Sequence, residues 1–260
     1  IDLRASGSRF AAGKKHVIDE PAPIFSIAHK SAENGRGLLV PNPYFLDPSW
    51  WANYTRSVMA FAMMRPWHSR RTAVLMRGAC GPASFERLGV LKLPEFTNAS
   101  RYDFGIVSKA GPYKNIEDCI EKGMKDSSTE AEIARVKSRI MPKMPLEDFS
   151  RYRYVLHMPG SVTNSYSRNL QHLFMQGVIV LVWQSDAVEF YYPLLRHRVH
   201  IMSVNASTLE ATVEELESSP RLRETLLAGG DFVARHVLSS WFLFARWDAL
   251  LHPLRQLQTG

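Results

Sequence analysis

One stretch of the chain, residues 152–204, constrains the fold more than any other. It opens with an apolar, β-branched run at 152–158 that predicts a buried strand. A polar loop, a segment of helical spacing at 168–176 and a second apolar run at 178–183 follow, and a third strand is predicted at 199–204. This order indicates a right-handed βαβ unit in a parallel sheet, and such sheets bind ligands at the carboxyl ends of their strands.

The loop between the first of these strands and the helix is therefore the best candidate ligand site. Backbone amides, hydroxyls and a guanidinium at the start of a helix can hold a phosphate, and Gly177 is placed to cap the end of that helix. The candidate residues are Gly160, Asn164, Ser165, Tyr166, Ser167 and Arg168.

A second candidate block lies earlier in the chain, after a predicted strand at 72–77. The strand ends at Arg77-Gly78, and Arg87 follows nine residues after Gly78. A glycine at a strand end lets backbone amides approach a phosphate, and a guanidinium donates paired hydrogen bonds to its oxygens. Two glycines and a proline in the same segment are also ordinary turn chemistry.

Taken together, these blocks resemble the glycosyltransferase family 90, the CAP10-like enzymes that include protein O-glucosyltransferases and fungal xylosyltransferases. The matching blocks are the Tyr-Arg-Tyr-Val-Leu strand at 152–156, the Arg-Gly pair at 77–78, the Glu-Phe-Tyr-Tyr-Pro-Leu-Leu segment at 189–195 and the strand at 199–204. The match in order and spacing is most specific from Gly177 onward. The resemblance implies transfer of glucose or xylose from a UDP-sugar to a hydroxyl of a protein or glycan, with inversion at the anomeric carbon.

The resemblance also implies the architecture, an α/β fold of GT-B type with two Rossmann-like lobes. On this prediction residues 1–67 form a partial acceptor-side lobe, and residues 68–260 form the nucleotide-sugar-binding lobe. The second lobe is predicted to hold five parallel strands, near 72–77, 102–107, 153–158, 178–183 and 199–204, and to end in a closing helix over 231–254.

Roles for single residues follow from the resemblance. Arg77, Gly78, Arg87 and the loop with Arg168 are expected to bind the donor diphosphate, and Glu189 to hold sugar or ribose hydroxyls. No Asp-x-Asp pair ends a strand, so we expect no metal and no cofactor beyond the donor itself.

The general base is less well defined. The family's aspartate position is occupied by Gly37, which has no lone pair to accept a proton. The nearest carboxylate is Glu33, with His29 second, and both could equally be solvated loop residues. His172 and His200 lie beside apolar neighbours and are expected to be structural.

Composition limits the partners. A net charge of +7 is spread along the chain, which favours a basic solvated surface over nucleic-acid binding. No apolar run is long enough to span a bilayer, although the start at Ile1 suggests a processed or truncated terminus and a membrane anchor outside this sequence. Two cysteines allow at most one internal disulfide, and sequons at Asn53, Asn98 and Asn205 favour the lumen of the endoplasmic reticulum or Golgi. Oligomeric state is not indicated.

Two rival functions remain open. One is a catalytically inactive relative that serves as a binding or assembly subunit, suggested by Gly37, by the short first lobe and by Arg168, which lies one position before the family's loop arginine. The other is a nucleotide-binding regulator of a different α/β class.

Overall fold

The computed structural model describes residues 25–26, 28–30, 38–41, 45, 47–81, 85–160 and 169–258. Its strands, in chain order, are β1 (Phe25–Ser26), β2 (Ala28–Lys30), β3 (Leu38–Leu39), β4 (Arg71–Cys80), β5 (Tyr102–Lys109), β6 (Tyr152–His157), β7 (Ile179–Trp183), β8 (Ala187–Glu189) and β9 (Met202–Val204). Its α-helices are α1 (Pro48–Met63), α2 (Phe85–Leu91), α3 (Ile116–Met124), α4 (Glu130–Lys137), α5 (Leu170–Leu173), α6 (Leu209–Ser218), α7 (Pro220–Phe232) and α8 (Ser240–Gln258).

Five of these strands form a parallel sheet in the order β5-β4-β6-β7-β9. The predicted α/β fold with a five-stranded parallel sheet is thus confirmed, with small shifts of the strand ends. The last strand is shorter than predicted and begins at Met202. The residues before it form a turn, in which Arg198 has a φ of 63° and Ile201 accepts its backbone N–H at 2.8 Å.

Apolar side chains cover both faces of the sheet, because successive residues of a strand point to opposite sides. Val74 and Met76 of β4 join a core with helices α2, α3 and α6 on one face. Leu75 joins a second core on the other face with α1, α5 and the start of α8. A sheet covered on both faces explains why the strands read as nearly continuous apolar runs.

Helix α1 belongs to this second core. The indole of Trp51 is fully buried and donates to the carbonyl of Leu238 at 2.6 Å, and Phe45 packs edge-on against it at 4.6 Å. α1 begins at Pro48 behind Asp47, whose carboxylate accepts the N–H of Trp50 as an N-cap. The first predicted lobe therefore ends in a helix that shares its core with the sheet, and the boundary at residue 67 stays a prediction.

The predicted closing helix over 231–254 is not continuous, which corrects that expectation. α7 runs through Gly229 and Gly230 to Phe232, a π-helical turn follows at Val233–Val237, and α8 begins at Ser240. Gly229 lies inside α7 and lets this helix pack closely against the backbone of Val199. A Cβ at Gly229 would lie only 1.8 Å from the carbonyl oxygen of Val199.

A disulfide joins the end of β4 to α3. Cys80 and Cys119 are both fully buried, and their sulfurs are bonded across 39 residues of sequence. The bond fixes the end of β4 against the helix that packs behind it. Among the helices in the described ranges, none combines the length and the apolar character needed to cross a bilayer.

Candidate anion site at the carboxyl edge of the sheet

The topology of the sheet marks one position for a ligand. From β4 the chain passes to β5 on one side and then returns to β6 on the other side of β4. The connection that leaves β4 and the connection that leaves β6 therefore run in opposite directions along the sheet. In open parallel sheets, ligands bind at this switch point, in the crevice at the carboxyl ends of the strands.

A buried guanidinium lies at this switch point. Arg87, in the first turn of α2, is 7% exposed and donates to the carbonyl of Ala79 at 3.0 Å and to that of Pro159 at 2.7 Å. Ala79 is near the end of β4, and Pro159 follows β6. Burial lowers the pKa of Arg87 to about 10, so it remains charged at neutral pH. No carboxylate of the described residues lies within ion-pair distance of it.

Gly78 makes room for this arginine. A Cβ on Gly78 would lie 2.8 Å from Cδ of Arg87 and 2.9 Å from its Nε. The two residues were predicted from the same sequence block, and the structure brings them into contact. Gly78 thus lets the side chain cross the end of β4, which is a packing role distinct from the backbone–phosphate contact expected from sequence.

A histidine that sequence reasoning did not assign lies next to Arg87. His157, the last residue of β6, is 5% exposed, and its Nδ1 has no hydrogen-bond partner. Burial, together with the neighbouring charge of Arg87, lowers the pKa of His157 to about 3, so the imidazole is neutral. The available sequence signal was a polar residue near the end of an apolar strand, two residues before the predicted loop.

α2 is fixed to the edge by a second polar contact. The indole N–H of Trp183, at the end of β7, donates to Oε1 of Glu86 at 2.7 Å. Trp183 is mostly buried while Glu86 is exposed, so the carboxylate anchors the indole from the solvent side. The contact places α2, and with it Arg87, across the carboxyl ends of β4, β6 and β7.

Glu189 is buried three residues beyond the turn that follows β7. It is 1% exposed, accepts a hydrogen bond from Tyr192, and leaves its Oε1 without a partner. Burial raises the pKa of Glu189 to about 8, which keeps the carboxyl largely protonated at neutral pH. Such a group can both donate to and accept from a ligand hydroxyl.

Arg77, in contrast, is held within the sheet. Its guanidinium is bonded to Oδ1 of Asp103 at 2.6 Å and to the backbone carbonyl of the same residue. Asp103 is aligned with Leu75, two residues toward the amino end of β4, and also accepts from the hydroxyl of Tyr152. The guanidinium therefore points away from the carboxyl edge, an orientation that does not favour the predicted donor contact.

Several predicted residues fall outside the described ranges. These are Glu33, Gly37, Asn164, Ser165, Tyr166, Ser167 and Arg168. Gly160 is described and is buried directly after Pro159, beside the carbonyl that Arg87 holds. His29 lies in β2, which pairs antiparallel with β8 so that Ala28 is opposite Glu189 and His29 is opposite Val188.

Both histidines expected to be structural are packed against aromatic rings. His172 is 9% exposed and lies 5.2 Å from the ring of Tyr54, and burial lowers its pKa to about 4. His200 accepts the backbone N–H of Arg196 at 3.0 Å and stacks on Phe232. Each ring is thus engaged with its own chain.

The sequence matches no protein-family model and no curated protein. Among solved structures, the chain is similar to Anabaena Alr3699/HepE, crystallised with UDP and glucose, at a TM-score of 0.55 and 11% identity, over 88% of this chain and 62% of HepE. It is more distantly similar to the GtfA/B complex, with a TM-score of 0.44, 15% identity and coverage of 74% of this chain and 38% of that one.

WaaG, a glycosyltransferase involved in lipopolysaccharide biosynthesis, has a TM-score of 0.41 and 15% identity, over 84% of this chain and 57% of WaaG. These two distant similarities carry no argument. The chain spans less than two thirds of the length of each of the three structures. The similarity to HepE concerns the fold alone, and the chain accordingly has a GT-B type α/β fold with a Rossmann-like five-stranded parallel sheet.

Proposed function

We propose that this chain is the donor-binding part of a glycosyltransferase that moves a sugar from a UDP-sugar to a hydroxyl of a protein or glycan. The observation that carries this proposal is Arg87, a buried cation placed between the ends of β4 and β6. A nucleotide diphosphate would supply the negative charge that no described carboxylate provides there. HepE, which shares the fold, was crystallised with UDP and glucose.

The leaving group of such a transfer is the diphosphate, which must be stabilised as its charge grows. Arg87 is held by two carbonyls and does not need to reorganise when charge develops nearby. The segment 164–168, with Arg168, begins four residues after Gly160 in sequence and is expected to supply further amides, hydroxyls and a second cation. We expect no metal in this mechanism because the two arginines would take over its role.

Glu189 is the proposed contact to sugar or ribose hydroxyls. Its Oε1 is buried beyond the end of β7 and has no hydrogen-bond partner among the described residues, so a bound hydroxyl could satisfy it. The hydroxyl of Tyr192 holds the other side of the carboxyl. The buried, protonated carboxyl favours a neutral polyol over an anion.

The general base is proposed to come from the segment between β2 and β3. Because β2 pairs with β8, the last residue of β2 lies opposite Ala187, two residues from Glu189. Glu33 is the carboxylate of that segment, and His29 of β2 is the second candidate. Inversion requires the base on the face opposite the leaving diphosphate.

The finer assignment is to family 90, with glucose or xylose as the transferred sugar, and rests on the sequence blocks at 77–78, 152–156, 189–195 and 199–204. We place the protein in the lumen of the endoplasmic reticulum or Golgi, because the buried Cys80–Cys119 disulfide requires an oxidising compartment. A membrane anchor outside this sequence is compatible with that location.

The test is consumption of UDP-glucose and UDP-xylose, with peptide and glycan acceptors and with water, by a chain that includes a complete amino-terminal lobe. Glu33→Gln should lower turnover about 10²- to 10⁴-fold, as expected for loss of a general base, and leave UDP affinity nearly unchanged. Turnover at the parent rate would exclude Glu33 and leave His29 as the next candidate.

The second candidate function is an inactive binding or assembly subunit, favoured by glycine at position 37 where the family has its base. It predicts that the parent binds UDP in calorimetry but consumes neither donor. Absence of UDP binding would contradict both functions.

A further inference from the structure

Three sequons occur in this chain, and the structure places them in different surroundings. They begin at Asn53, Asn98 and Asn205. A sequon can accept an N-linked glycan in the secretory pathway, which is also an oxidising compartment where disulfides persist. The Cys80–Cys119 disulfide is consistent with folding in such a compartment. Whether a folded protein can carry the glycan depends on what the asparagine amide already does.

Asn205 is fully engaged. Its Nδ2 donates to Oε1 of Gln184 at 2.8 Å, and its Oδ1 accepts the backbone N–H groups of Ser207 and Thr208 at 3.0 and 3.1 Å at the start of α6. The residue follows β9, so it lies at the carboxyl edge of the sheet. A glycan on Asn205 would break the bond to Gln184 and would project over the edge proposed to bind the donor.

Asn98 has the opposite surroundings. It is exposed, as are Ala99 and Ser100, in the turn that leads into β5 at the amino edge of the sheet. Its Oδ1 accepts the N–H of Ser100 at 3.1 Å and the Ser100 hydroxyl at 2.7 Å. In the described part of the chain nothing accepts a hydrogen bond from its Nδ2, so a substituent on this nitrogen displaces no contact.

We propose that Asn98 is a site of N-linked glycosylation and that Asn205 is not. The reaction breaks the bond between the anomeric carbon of an oligosaccharide and the diphosphate of its polyisoprenyl donor. A new bond forms between that carbon and Nδ2 of Asn98, and one amide proton leaves with the released diphosphate. The glycan then projects from the amino edge of the sheet, opposite the proposed donor site. This inference rests on the proposed function only in assigning donor binding to the carboxyl edge.

The test uses the full chain, secreted from eukaryotic cells behind a signal peptide and carrying Asn53→Gln. This change removes the third sequon, whose exposed asparagine lies in α1. Treatment with peptide N-glycanase in ¹⁸O-water followed by peptide mass spectrometry should convert Asn98 to labelled Asp and leave Asn205 as Asn. Adding Asn98→Gln, or Ser100→Ala, should remove the single glycan seen on a gel, and Asn205→Gln should leave it in place.

Non-reducing mass analysis confirms that the secreted protein holds the disulfide, and cooperative unfolding in urea confirms that it is folded. An unmodified Asn98 in this folded protein, or a glycan on Asn205, would overturn the proposal. UDP titration before and after glycan removal separates this inference from the proposed function. Equal UDP affinity is expected in the two samples. Failure to bind UDP at all would contradict the donor site, whereas the mass data would still decide whether Asn98 is glycosylated.

Discussion

Two buried arginines at opposite edges of the sheet have similar burial but different hydrogen-bond partners. Arg70 and Arg87 are about equally inaccessible, burial lowers the pKa of each to about 10, and neither has a carboxylate partner in the described ranges. Arg70 donates to four backbone carbonyls, those of Ala62, Arg65, Gln176 and Gly177, at 2.6–3.0 Å.

These four carbonyls lie where α1 ends and where the chain turns into β7 at the amino edge. Helix ends leave carbonyls without partners, and the guanidinium satisfies them. Arg87 donates to only two described carbonyls, and those belong to strand ends at the switch point. Burial alone therefore does not distinguish the two cations, and the difference between them is their place in the topology of the sheet.

The largest effect that sharpens this comparison is expected at Arg70. Arg70→Met removes four hydrogen bonds from a charged donor and leaves buried carbonyls unpaired, so it should lower the free energy of unfolding by about 4 kcal/mol. Urea denaturation measures this change. UDP affinity of the folded fraction should equal that of the parent, and a parallel loss of UDP binding would erase the distinction between the two arginines.

The next effect concerns pH and the carboxyl edge. Below pH 4.5 the Glu189 carboxyl is protonated in both the folded and the unfolded chain. Between pH 4.5 and about 8 it ionises only in the unfolded chain, because burial raises its pKa in the folded protein. Stability should therefore fall as pH rises through this window, by roughly 3.5 kcal/mol between pH 5 and pH 8, and level off about one pH unit above it.

Glu189→Gln should abolish this fall, as seen in urea denaturation at pH 5 and pH 8, whereas Glu95→Gln on the surface should retain it. A parent protein whose stability does not change over this window would show that Glu189 ionises normally.

A smaller effect is expected where Gly78 makes room for Arg87. Gly78→Ala places a methyl group 2.8 Å from Cδ of Arg87 and should destabilise the fold by about 1–3 kcal/mol while weakening UDP binding. Gly89→Ala is the matched control in α2, because its Cβ meets nothing within 4 Å. That variant should gain about 0.5–1 kcal/mol through helix propensity. Equal outcomes at the two glycines would argue against the contact.

Much of the fold was predictable from the sequence because strands that are buried on both faces consist of nearly continuous apolar runs. The same runs located the carboxyl edge. The Arg77-Gly78 block drew attention to Gly78 and Arg87, which lie in contact, and their role in donor binding stays a prediction. The pairing of Arg77 could not be predicted, because it depends on the register that aligns Leu75 with Asp103. Asp103 lies in another strand whose alignment no local pattern fixes.

The π-helical turn at Val233–Val237 was missed for a related reason. Its residues continue the helical spacing of their neighbours, and the break arises where the chain packs Leu238 against Trp51 of α1. His157 was missed because a histidine in an apolar strand is more often a packed residue. Its position beside Arg87 is what places it in the candidate site.

Arg87 is proposed to anchor the donor diphosphate at the switch point, and calorimetric titration of UDP into Arg87→Met is the most direct test. Loss of a hydrogen bond from a charged donor should weaken binding by about 1.5–3 kcal/mol, or roughly 10- to 150-fold. Arg70→Met, in its folded fraction, is the control and should bind as the parent does. Unchanged UDP affinity in folded Arg87→Met would contradict the account.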